Sequence, residues 1–119
     1  MPFTVIISRT TEFVRFDAAG TASLKNYFDL IAEAAVETAG GDRRALVDLR
    51  NVAGRLVFTD QFFIGEVVAQ KLAHLDRVAA LVRDDPGTYN SPTVALKRGL
   101  NLRVFSDEGA AVRWLQPEG

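Results

Sequence analysis

Five aspartates near element ends, one histidine and a run of phenylalanines are the side chains of this chain on which chemistry would rest. Asp48, Asp60, Asp84, Asp85 and Asp107 fall near the expected carboxyl ends of strands or the starts of helices, the crest where open α/β sheets bind ligands. Such a crest could hold Mg²⁺. Aspartates are also ordinary caps and turn residues, however, and no phosphate-cradling loop accompanies these, so no metal site is expected. His74 falls late in an expected helix, where the helix dipole favours a histidine, and the sequence announces neither a nucleophile nor an orienting group to serve it. Gly40-Gly41 reads as a helix stop, because no strand precedes it as a dinucleotide fingerprint requires. No catalytic residue and no cofactor is therefore expected, and the chain reads as a non-enzyme.

Composition narrows the chemistry further. Cysteine is absent, which removes disulfides, thiolate metal sites and cysteine nucleophiles, and one histidine cannot form a His-rich cluster. A net charge of −1 gives no electrostatic footprint for nucleic acid, where Lys and Arg neutralise phosphates. The 119 residues suit one core, and a single domain over residues 1–119 is expected. No stretch has the pattern of a signal peptide or a membrane helix, from which a cytoplasmic location is expected.

Chemistry-bearing residues must be positioned by elements. Thr4 to Ser8 and Glu12 to Phe16, rich in β-branched and aromatic residues, read as an antiparallel hairpin. Thr21 or Ser23 caps a first helix with Leu24, Tyr27, Phe28, Ile31 and Ala35 on one face. Arg44 to Leu49 is the third strand and Val52 to Phe58 a long connection; Thr59 or Asp60 then caps a second helix reaching about Leu75. Arg77 to Arg83 is the fourth strand, followed by the turn Asp84-Asp85-Pro86-Gly87 and a short helix with Ser91 as cap and Pro92 as first residue. Leu102 to Phe105 is the last strand, and Ser106 caps a closing helix with Asp107 and Glu108 in its first turn. The order is ββαβαβαβα, an α/β fold with a mainly parallel sheet.

Its strands alternate imperfectly. Ala45, Val47 and Leu49 oppose Arg44, Leu46, Asp48 and Arg50; Val78, Ala80 and Val82 oppose Arg77, Leu81 and Arg83; Leu102 and Val104 oppose Arg103 and Phe105. One face is dry and the other mixed, which fits crossovers that advance in one direction and leave their helices on a single face. The mixed face is open to three readings: a solvated surface, a face shielded by the hairpin or a terminal segment, or a subunit contact. The second helix is apolar more widely than one core stripe requires, with Phe62, Phe63, Val67, Ala69 and Ala73 beyond the row Ile64, Val68, Leu72 and Leu75. It is flanked by neighbouring helices, or it forms a dimer face or the wall of a hydrophobic cleft.

Element order and several landmarks together resemble the STAS superfamily, in its SpoIIAA-like branch of anti-sigma-factor-antagonist-like domains. The residues that carry the resemblance are Ala45-Leu46-Val47-Asp48-Leu49-Arg50-Asn51-Val52, Phe58-Thr59-Asp60, and Leu102-Arg103-Val104-Phe105-Ser106-Asp107-Glu108 with Ala111 and Trp114-Leu115. The resemblance implies a SpoIIAA-like fold and a regulatory domain that works through protein contacts. Family members carry a phosphorylatable serine in an Asp-Ser-Ser-Gly stretch at the second helix. Here Gln61, Phe62 and Phe63 follow Asp60, so the usual phosphoacceptor is missing and Thr59 is the nearest hydroxyl. The expected interaction surface is Phe58, Thr59, Asp60, Phe62, Phe63 and Val67. A protein partner or a homodimer would occupy it. The alternative is a cleft beside the second helix, lined by Phe58, Phe62, Phe63 and Val67, that takes a hydrophobic small molecule or lipid, or a peripheral membrane contact.

Overall fold

Alternating β-branched and aromatic residues build the first two strands, β1 (Thr4–Arg9) and β2 (Val14–Thr21), joined by a turn in which the Thr10 hydroxyl accepts from the Glu12 and Phe13 amides. The computed structural model describes residues 1–89 and 91–116, without the side chains of Ser91 and Pro92. After β2 come α1 (Leu24–Thr38), β3 (Arg44–Ala53), α2 (Phe58–Lys71), β4 (Arg77–Leu81), a 3₁₀ turn (Pro86–Thr88), α3 (Ser91–Lys97), β5 (Leu102–Phe105) and α4 (Glu108–Leu115). The five strands lie in sequence order, β1 antiparallel to β2 and the remainder parallel. This is the expected α/β architecture.

The dry face packs Val14, Phe16, Ala45 and Val78 against buried residues of α1 and α2, with Ala95 of α3. On the mixed face Leu46, Ala79 and Phe13 pack against Ala111 and Leu115 of α4, with Phe105 and Trp114 beside them. So a terminal segment covers it. As expected of one-directional crossovers, helices α1 to α3 lie on a single face; α4 follows the last strand, closes no crossover and packs on the other. Arginines that looked like solvated strand positions hold this helix in place. Arg44 donates to the Leu115 carbonyl at 2.6 Å and Arg77 to the Trp114 carbonyl at 2.5 Å, where the helix C-terminus is negative. At the other end Glu108 receives Arg50 at 2.7 Å and Arg15 at 3.3 Å.

Several boundaries move from their expected places. β3 continues to Ala53, shortening the long connection expected over Val52 to Phe58. It pairs on with β2 past a bulge: Asp17 faces Asp48, but Ala19 faces Asn51, so β3 carries one extra residue before Val52 and Ala53 pair with Gly20 and Thr21. The extra residue reverses the alternation and turns Val52, in phase by count with Asp48 and Arg50, into the dry core. β2 starts at Val14 rather than Glu12, and β4 ends at Leu81. α2 starts at Phe58 with Val57 as its cap and no side-chain cap bond, so neither Thr59 nor Asp60 caps it. It ends at Lys71, with Leu72 and Leu75 buried beyond it. Ser23 caps α1, accepting from the Asn26 amide, and Asp107 rather than Ser106 caps α4, accepting from the Ala110 amide. A carboxylate is as good a cap as a hydroxyl, and the helix simply starts one residue later. The expected cap role of the Ser91 side chain lies outside the described residues.

Candidate functional site

Helix α2 has two apolar sides. Gln61, Ile64, Gly65, Val68 and Ala69 are buried toward the sheet, while Phe58, Phe62 and Phe63 are 65%, 47% and 55% exposed. Of the six residues expected to form the interaction surface, Phe58, Thr59, Phe62 and Phe63 are exposed and Asp60 and Val67 are half-buried. Phe63 leans edge-on toward Phe28 of α1, ring centroids 6.1 Å apart. Phe58 and Phe62 turn the other way and line a groove against α3 with Glu66, Thr93, Val94, Lys97 and Arg98. An Arg98–Glu66 ion pair at 2.8 Å crosses its rim.

A separate cavity of about 110 Å³ lies on the inner side of α2, between that helix, α1 and the dry sheet face. Leu30, Ile31 and Ala34 of α1, Ile64 and Val68 of α2, and Val47, Val78, Ala80 and Val104 of the sheet are among its walls. Phe58, Phe62, Phe63 and Val67 are not. Its mouth is at the carboxyl ends of β3 and β4, where Tyr27, Leu49, Gly54, Arg55, Val82 and Tyr89 also line a polar hollow with Arg83 and Asp84. Gly54, at φ +80°, is in the left-handed region that allows β3 to turn sharply into this mouth.

Side chains at the mouth hold one another. The Arg55 guanidinium stacks 4.0 Å over the Tyr89 ring, donates to the Thr88 carbonyl at 2.5 Å and lies 3.4 Å from Asp84. Tyr89 donates to the other Asp84 oxygen at 3.0 Å. Burial pushes the Tyr27 hydroxyl up to about 12, helped by the nearby Tyr89 and Asp84, and this hydroxyl has no hydrogen-bond partner among the described residues. The sequence hid this cluster, since Tyr27, Arg55 and Tyr89 are each about thirty residues apart and none belongs to a motif.

The crest carboxylates are dispersed. Asp48 is buried in ion pairs with Arg15 and Arg50, Asp85 caps the 3₁₀ turn, Asp107 caps α4, and Asp84 sits at the mouth. Among the described residues no three acidic or histidine side chains are grouped to hold a metal. His74 lies beyond α2, its Nε2 2.7 Å from the Thr38 hydroxyl. Since that hydroxyl donates to the Ala34 carbonyl, Nε2 is the donor toward it. At the start of α2, Gln61 is buried with its amide donating to the Leu56 carbonyl, so its side chain is committed to the fold. Among the described residues no helix is long and apolar enough to cross a membrane.

No family model and no curated protein matches the chain. Solved structures do. An uncharacterised DUF3478-family protein with a SpoIIAA-like fold from Shewanella loihica PV-4 is similar with a TM-score of 0.62 and 18% identity, over 96% of this chain and 94% of that one. An anti-sigma factor antagonist from Mycobacterium paratuberculosis is similar with a TM-score of 0.64 and 13% identity, over 95% of this chain and 93% of that one. A likeness of this extent, with a five-stranded mixed sheet and four α-helices among the described residues in the order the resemblance implied, makes the fold of this chain SpoIIAA-like.

Proposed function

We propose that this protein is a non-enzymatic regulatory domain that binds a protein partner through the outward face of α2, without a serine phosphoswitch. The observation that carries the reading is the exposure of Phe58, Phe62 and Phe63 on one helix. Each large apolar side chain left in water forgoes roughly 1.5–3 kcal/mol of burial, and a marginally stable domain recovers that only when something covers the helix. Aromatic side chains at the centre of a contact are also those that dominate binding energy. The anti-sigma factor antagonist among the similar structures supports a protein as the partner.

The lining of the groove supports a partner of matching chemistry. Phe58, Phe62 and Val94 form an apolar floor, with Lys97 and Arg98 at the rim and Glu66 engaged with Arg98. An apolar side chain flanked by acidic residues fits it. Phosphate would gain little at the start of α2, where Gln61 and Phe62 replace hydroxyl-bearing residues and Thr59 stands alone. The test is a photoreactive phenylalanine analogue at position 62, irradiated in the producing cells, with the same analogue at exposed Val36 on α1 as control. A discrete adduct specific to position 62 is expected. An adduct with a second copy makes the partner a homodimer, and no adduct overturns the reading.

A further inference from the structure

Independently of the partner surface, the cavity behind α2 has the form of a ligand site. We propose that it takes a small organic carboxylate: an apolar ring or short branched chain lies against Val68 and Ala80, and the carboxylate pairs with Arg55 at the mouth. Size sets the body. At about 110 Å³ the cavity is smaller than the roughly 150 Å³ apolar cavity known to accept benzene, so the body is at most one ring or a short branched chain. Its lining is aliphatic apart from Gln61, whose amide is bonded to the Leu56 carbonyl, and Tyr27, Arg55 and Tyr89 at the mouth, so a charged head belongs at the mouth.

Arg55 is prepared for that head. Its plane is fixed by the Tyr89 ring and the Thr88 carbonyl, while its contact to Asp84 at 3.4 Å is well beyond a short charge-assisted hydrogen bond. A guanidinium fork held in place, with its carboxylate contact loose, matches an incoming carboxylate. Arg83 adds a second positive charge in the same hollow, against the single Asp84, which disfavours an ammonium head. Tyr27, which lines both cavity and hollow, carries a hydroxyl that could serve as a further donor.

Calorimetric titration of the full chain with phenylpropanoate, phenylpropanol and phenylpropylamine compares one body with anionic, neutral and cationic heads. The acid is expected to bind, the alcohol roughly tenfold more weakly for the loss of one charge-assisted pair, and the amine more weakly still. Arg55→Gln should remove the preference for acid over alcohol while leaving the alcohol's affinity within about twofold. Ala80→Leu, which fills the cavity, should abolish binding of both with the thermal midpoint unchanged or raised. Should that variant fail to fold, methyl NMR shifts of Val68 in the wild type decide, with exposed Val36 as control. The proposal is overturned by no binding of the acid, by equal affinity for acid and amine, by binding that survives Ala80→Leu, or by shifts that spare Val68.

Discussion

Asp48 is buried, yet it accepts from Arg15 at 2.9 Å and from Arg50 at 2.8 Å, and receives the Arg50 amide as well. Burial opposes its ionisation. The Arg50 hydrogen bonds and the charges of Arg50 and Arg15 outweigh that and hold the carboxyl below its usual range. A depressed folded value means that the stabilisation is complete above the ordinary carboxylate pKa, near about 4, and is lost as pH falls through the folded value. Urea unfolding across a pH series should therefore show stability dropping in acid below about pH 4. Asp48→Asn should cost roughly 1–3 kcal/mol at neutral pH, leaving two arginines short of a partner, and should flatten the acid limb. A variant as stable as wild type would remove this account of the network. At the residue scale the sequence was informative about type and silent about pairing. Asp48 was legible as a strand carboxylate on the mixed face, but its partner Arg15 is 33 residues away, and Glu108 is 58 from Arg50. Separations of that size are set by the sheet and by the docking of α4, which no local pattern reports.

Helices and strands were largely readable, because apolar spacing and turn residues are local. The order, the hairpin, the parallel remainder and β5 (Leu102–Phe105) all follow from alternation and punctuation. Starts and ends were less so, since several hydroxyls and carboxylates compete for each cap. Asp107 caps α4, so Asp107→Ala should destabilise the protein by about 1 kcal/mol. Thr59 makes no cap bond to α2, and Thr59→Ala should stay within about 0.5 kcal/mol of wild type. Thermal or urea unfolding of the two variants checks both, and the opposite ranking would restore Thr59 as a cap. The bulge in β3 has no local signature, because an extra residue is visible only in the pairing with β2, where Ala19 meets Asn51. The cover of the mixed face was open in the sequence for a related reason. Leu46 and Phe105 are compatible with an apolar cover and the arginines between them with a solvated face, and only the fold shows that Arg44 and Arg77 hold the end of a covering helix.

Across the whole molecule, α2 separates two apolar regions of different character. Its inner side closes a cavity behind which the sheet is dry, and its outer side leaves Phe58, Phe62 and Phe63 in water. The surplus of apolar residues around this helix was legible in the sequence. Its division between an internal space and an external face was not, because helical spacing assigns faces and leaves volumes undetermined. The exposed phenylalanines withhold stability from the fold by their unburied area. The outer face is the one on which the proposed function rests, and Phe58→Ser with Phe62→Ser removes its apolar floor without touching the buried row. The most direct measurement is the affinity of this double variant for the protein crosslinked at position 62, with urea unfolding as the check on its fold. The expected result is unfolding within about 1 kcal/mol of wild type and binding weakened by at least about tenfold. Unaltered affinity in a folded variant would contradict the claim that this face is where the protein meets its partner.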